Sequence, residues 1–189
     1  LAEGYHAIIL EATDPAGNKA NSSYINITID VTAPQITIEN PAEGQSLGFI
    51  IQLLTTITDN IVGVRNVTYT IQNDSGYYFK NGTLNASTGY DDVWDSAQDI
   101  TENVEFMAVN FTVTANDTLG NALTVVRKFI VDNKRPSISF IIPDGHDFNR
   151  NFNLDIRVTN RNLTISTYNI TNSSFDLLAN NSNRTIFVT

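Results

Sequence analysis

Along much of this chain apolar and polar residues alternate one by one, which is the period of a half-buried β-strand. In Tyr24-Ile25-Asn26-Ile27-Thr28-Ile29-Asp30-Val31 the residues Ile25, Ile27, Ile29 and Val31 fall on one face, and Asn26, Thr28 and Asp30 on the other. Val109-Asn110-Phe111-Thr112-Val113-Thr114-Ala115 and Val67-Thr68-Tyr69-Thr70-Ile71 repeat the pattern. No stretch of a dozen residues carries a helical stripe; the nearest, Val93 to Met107, is acidic and ends in strand. The pattern places strands at 35–40, 50–58, 64–72, 77–80, 90–95, 105–115 and 123–131. Seven antiparallel strands in one stretch predict an all-β chain built as a two-sheet sandwich.

The turns between strands repeat. Ala12-Thr13-Asp14-Pro15-Ala16-Gly17-Asn18 matches Ala115-Asn116-Asp117-Thr118-Leu119-Gly120-Asn121 in an A-x-D-x-x-G-N frame. Gly stands where φ must be positive, as in a tight hairpin. Downstream, Asp30-Val31-Thr32-Ala33-Pro34 parallels Asp132-Asn133-Lys134-Arg135-Pro136, and Pro41 and Pro143 follow each Pro at the same distance. Tyr69-Thr70-Ile71 is echoed by Tyr168-Asn169-Ile170. The period is about 102 residues. It divides the chain into 1–32, the last strands of one repeat; 33–132, a complete repeat; and 133–189, the first part of another. A partial repeat cannot close a core alone. The ends are therefore expected to be an excerpt of a longer array, or to complement each other between molecules as a head-to-tail fibre.

A strand, A-x-D-x-x-G-N, a second strand, Asp-x-x-x-Pro and a fresh strand together resemble the tandem immunoglobulin-like repeats of prokaryotic surface proteins, among them large adhesins and archaeal surface-layer components. Thr58-Asp59-Asn60-Ile61-Val62-Gly63-Val64 followed by Val67-Thr68-Tyr69 is similar to their segment between second and third strands. The resemblance implies antiparallel immunoglobulin-like β-sandwiches in tandem. It also implies a non-catalytic stalk, surface-layer brick or adhesin spacer, with neighbouring repeats of the same chain as its first partners. Other surface proteins or glycans would be further ones.

Composition adds a place. Thirteen Asn-x-Ser/Thr sequons occur, at Asn21, Asn26, Asn66, Asn73, Asn81, Asn85, Asn110, Asn116, Asn162, Asn169, Asn172, Asn180 and Asn183. Chance pairing of 24 Asn with 34 Ser and Thr over 189 residues gives about four. The excess predicts an extracellular, glycosylated cell-surface protein. Asn26, Asn66 and Asn110 fall on polar strand faces. Cys is absent, which removes disulfides and thiolate chemistry and, with so many sequons, points to a prokaryotic and in particular an archaeal envelope. A net charge of −9 leaves no basic patch for nucleic acid. The longest apolar run, Leu47 to Leu54, is too short to span a membrane.

Candidate chemistry is sparse. The two histidines, His6 and His146, lie in different repeats without a Ser or carboxylate at motif spacing. Asp91, Asp92, Asp95, Asp99 and Glu102 are crowded enough for a carboxylate pair, yet such residues more often solvate a strand. No enzymatic role is expected. Asp14, Asn18, Asp30, Asp59, Asp117, Asn121 and Asp132 are hard oxygen ligands that recur where repeats would join, and would suit Ca²⁺. The resemblance implies calcium there too; the other reading of the same residues is turn capping through their own backbone N–H groups. Tyr77, Tyr78, Phe79, Tyr90 and Trp94 supply the alternative function, a sugar-stacking face in a carbohydrate-binding accessory module of a secreted enzyme.

Overall fold

Residues 1–140, and beyond them three strands between 156 and 182, are described by a computed structural model. In chain order the strands are β1 (Gly4–Ile8), β2 (Glu11–Thr13), β3 (Lys19–Asn21), β4 (Ile25–Ile29), β5 (Gln35–Asn40), β6 (Ser46–Leu47), β7 (Ile50–Thr58) and β8 (Val64–Asn73). They continue as β9 (Tyr78–Leu84), β10 (Asp92–Asp95), β11 (Met107–Asp117), β12 (Ala122–Val131), β13 (Ser137–Phe140), β14 (Ile156–Thr159), β15 (Thr167–Thr171) and β16 (Leu177–Ser182). A 3-10 turn at Ala86–Thr88 and a helical turn α1 at Ser96–Asp99 are the helical elements among the described residues.

The chain divides into two compact units, Leu1–Asp99 with Phe106–Asp132, and Ile100–Glu105 with Asn133–Thr189. In the second, β13 pairs with β14 and β15 with β16, both antiparallel. Its Asn133 is buried, its amide donating to the Ile100 carbonyl and its N–H to that of Val104, both at 2.9 Å. Lys134 pairs with Glu105 at 2.7 Å.

In the first unit β5, β7 and β10 form a three-stranded sheet in the order β10-β7-β5, and a five-stranded sheet runs β6-β12-β11-β8-β9. The expected strands at 35–40 and 50–58 are β5 and β7, and the others shift by a few residues. One pairing departs from the antiparallel expectation. After β5 the chain crosses over and its two-residue β6 runs parallel to β12, with Ser46 opposite Ile130 and Leu47 opposite Val131. A pair so short carries no alternation of its own. Residues 1–32 form two separate ribbons, β1-β4 and β2-β3, rather than one long hairpin.

Alternation decides what is buried. Along β7 Ile51, Leu53, Thr55 and Ile57 point inward while Gln52, Thr56 and Thr58 face out. Along β11 Val109, Phe111, Val113 and Ala115 are buried in turn, and β8 contributes Val67, Tyr69 and Ile71. The two inner faces meet at Trp94 of β10. Its ring stands edge-on to Phe129 of β12, with centroids 6.4 Å apart, and lies 5.8 Å from Phe79 of β9. The indole N–H donates to Asp99 at 2.7 Å, so burial leaves no unpaired donor. Phe49 and Tyr90, just before β7 and β10, take φ of 57° and 64°. A non-glycine residue there is strained. The strain aims both carbonyls inward: Ser96 donates to that of Phe49 and Thr55 to that of Tyr90.

At the open edge between the sheets a polar lid replaces apolar contact. The Tyr69 hydroxyl donates to Asp92, and Lys80 reaches the same carboxylate at 3.0 Å. Burial, then the bond to Asp92, pushes the Tyr69 phenol up. For Asp92 burial pulls upward, but the bonds from Tyr69, Lys80 and the Val93 N–H outweigh it and leave its carboxyl below the usual value.

A side chain at Gly82 would place its Cβ 2.8 Å from Cε1 of Tyr69, a ring fixed by the bond to Asp92. Gly82→Ala is expected to cost about 1–3 kcal/mol in a urea titration, with exposed Thr83→Ala within about 0.5 kcal/mol of the parent; equal stability of Gly82→Ala and the parent would refute this packing. Because the folded pKa of Asp92 is below its unfolded value, its stabilisation is present above about pH 4 and is lost as pH falls through the folded pKa. Asp92→Asn should lower the urea midpoint at pH 7 and flatten its fall below pH 4; an unchanged acid limb would refute the assignment.

Candidate metal centre

Three aspartates distant in sequence converge. Asp30 follows β4, Asp59 follows β7 and Asp117 closes β11, and one carboxylate oxygen from each lies within 4.8 Å of the others. Two of these strand ends belong to the middle of the chain, and Asp30 comes from the segment before it. Each carboxylate is oriented by its own loop. Oδ1 of Asp59 accepts from the N–H groups of Ile61, Val62 and Gly63, at 3.1, 3.0 and 2.7 Å. Oδ1 of Asp117 accepts from Leu119, Gly120 and Asn121, at 2.8, 2.6 and 2.9 Å. Oδ1 of Asp30 accepts from the Thr32 N–H at 3.0 Å.

The remaining oxygens give the place its character. Asp30 is buried, and its Oδ2 has no hydrogen-bond partner. A buried carboxylate oxygen without a donor is costly unless a cation satisfies it. Asp117 is fully buried; burial raises its pKa, but the Asn121 amide and the backbone donors of its loop outweigh that and hold it below the usual range. The Asn121 amide donates both to Oδ2 of Asp117 at 2.6 Å and to the Asp30 carbonyl at 3.1 Å, so it ties the two segments together. The Tyr5 hydroxyl bonded to the Ile61 carbonyl at 2.7 Å is a further tie, and the Thr118 hydroxyl, bonded to the Val62 carbonyl at 3.3 Å, joins the Asp117 loop to the Asp59 loop.

Beside the carboxylates a cleft of about 70 Å³ is lined by Glu3, Asp30, Thr32, Asp59 and Asn60 among others. Glu3 accepts from the Val31 N–H and the Thr32 hydroxyl, which holds its carboxyl below the usual value, the Thr32 bond counting most. The donor set is all oxygen, with room for water. That is the chemistry of Ca²⁺ or Mg²⁺ and not of zinc or copper, which favour nitrogen and sulfur ligands.

Of the seven candidate ligands, Asp30, Asp59 and Asp117 assemble and Asn121 braces them. Asp14 and Asn18 instead build an exposed copy of the Asp117 loop, Oδ1 of Asp14 accepting from Ala16 and Asn18 and Oδ2 from the Asn18 amide. Asp132 lies outside the cluster, its backbone N–H bonded to the Leu47 carbonyl. Glu3 and Thr32 have no signature in the sequence; only the fold brings them to the cleft.

The other candidates are placed as follows. His6 meets the Ala2 carbonyl at 2.7 Å, and His146 lies outside the described residues. Asp91 accepts from the Thr55 N–H, Asp95 from Ala97 and Gln98, and Asp99 from Trp94. Glu102 pairs with Arg135 at 3.6 Å. Tyr77 and Tyr78 are exposed, whereas Trp94 is in the core, so the aromatic set does not form one outward platform. Among the sequons Asn21, Asn26, Asn66, Asn81 and Asn85 are exposed, while Asn73, Asn110 and Asn116 are partly buried. Asn110, expected on an outward face, donates to Asp74 at 3.0 Å and has its carbonyl oxygen buried. Asn169 and Asn180 lie opposite each other in β15 and β16, and Asn162, Asn172 and Asn183 fall outside the described residues.

No family model matches the chain, and no curated protein matches it. A solved structure described as a "tetra-tandem repeat in extending region of large adhesion protein" is similar at 21% identity and a TM-score of 0.39, covering 97% of this chain and 46% of that one. The chain thus spans under half the length of that neighbour.

Proposed function

We propose that this chain is part of a row of immunoglobulin-like β-sandwich repeats in an exported surface protein, serving as a structural or adhesive spacer in which Ca²⁺ braces one repeat against the next. The observation that carries the reading is the convergence of Asp30, from before the repeat boundary near residue 33, with Asp59 and Asp117 from beyond it, and the buried, unpartnered Oδ2 of Asp30. Three carboxylates so close repel one another, and a divalent cation turns that repulsion into cohesion. Backbone carbonyls and water in the adjoining cleft would complete the coordination. The core between a three-stranded and a five-stranded sheet, antiparallel but for the short β6-β12 pair, supports the immunoglobulin-like assignment. The excess of sequons and the absence of Cys support export into a prokaryotic envelope. The reading is of a protein that holds and spaces.

Calcium titrated to about 10 mM, above the range of extracellular calcium modules, should raise the melting temperature by about 5–10 °C at hundredfold saturation. Asp30→Asn should abolish the rise. A melting temperature indifferent to calcium in the parent would overturn the cation brace.

A further inference from the structure

The five-stranded sheet ends at β9, a seven-residue strand bonded, among the described residues, to β8 alone. Its outer edge leaves backbone donors and acceptors free to pair with another strand, a hazard that proteins counter with proline, an outward charge or a cover. Here β9 contains no proline, and its one charge, Lys80, turns back across the core opening to Asp92 and the Val93 carbonyl. What stands outward at its midpoint is Asn81, exposed and free of side-chain hydrogen bonds among the described residues, in the sequon Asn81-Gly82-Thr83 with Thr83 exposed on the same face.

Two other sequons in this sheet have their side chains occupied. Oδ1 of Asn73 accepts from the N–H groups of Ser75 and Tyr77, closing the β8-β9 turn. The amide of Asn110 donates to Asp74, which also holds Lys128 at 3.1 Å, and its oxygen is buried. A glycan on the Asn110 nitrogen would have to displace its bond to Asp74, whereas on Asn81 it displaces only water.

We propose that Asn81 is a glycan acceptor whose sugar covers the free edge of β9, and that Asn110, its amide held by Asp74, stays bare. The donor class is an oligosaccharide carried on a lipid phosphate. The Nδ2–C1 bond forms, the C1–O bond to the carrier phosphate breaks with its electron pair leaving on the phosphate, and one Nδ2 proton passes to the transferase's base. The proposal rests on the exported-protein reading above.

Glycopeptide mapping of the protein recovered from the surface of its native cells tests it, with Asn81→Gln made in the same host and examined by sedimentation. Expected are a sugar-bearing peptide at Asn81, an unmodified peptide at Asn110, and self-association of Asn81→Gln where the parent is monodisperse. Bare Asn81 on surface-recovered protein overturns the proposal and leaves the repeat reading standing. A glycan on Asn110 overturns the accessibility argument, and a monodisperse Asn81→Gln overturns the edge role. Protein confined to the cytoplasm overturns both readings.

Discussion

The sheets of the first unit are joined with no disulfide, so everything rests on the apolar seam between their inner faces, centred on Trp94. Each strand places every second residue in that seam, and a slip of one residue would turn the whole set outward. Register is therefore the first constraint, and the polar features are fitted around it. Tyr69, Asp92 and Lys80 close the edge where apolar contact runs out. The strained carbonyls of Phe49 and Tyr90 satisfy the buried hydroxyls of Ser96 and Thr55. These devices serve to bring a strand into the seam without leaving an unpaired group inside.

The loops at one end use the freedom that this fixed core allows. Asp59 and Asp117 each sit at a strand end where the chain turns, and each spends one oxygen on its own loop. The same bonds that form the turn thus fix the carboxylate. Turn capping draws on Oδ1 alone in Asp30 and Asp59, so it does not preclude the cation reading of the same residues. At Asp117 Asn121 occupies the second oxygen as well, which makes that pair a brace between the loop and Asp30.

Much of the middle of the chain is legible in its sequence, since burial in a two-sided strand writes itself into alternation at short range. Ile51, Leu53 and Ile57 could be read as inward from their neighbours alone. What eluded that reading is nonlocal or too brief to have a period. Ser46–Leu47 is two residues long, and its partner lies far along the chain. Asn110 alternates like an outward residue, yet Asp74, from the neighbouring hairpin, claims its amide. The aspartate cluster lies between these cases: its residue types were visible as recurring turn positions, but that Asp30 joins Asp59 and Asp117, while Asp14 and Asp132 do not, is decided by where the strands end in space.

The parallel pair of β6 and β12 has a consequence for a chain under tension. It joins the segment Gly44–Leu47 to β12 and the residue after it, through backbone bonds from Gly44 to Lys128, Ile130 to Gln45 and Asp132 to Leu47. A pull on β6 from its N-terminal side and on β12 from its C-terminal side would slide these parallel strands past one another, so that the bonds share the load together instead of opening singly from one end. Two residues of strand would thereby resist extension in shear.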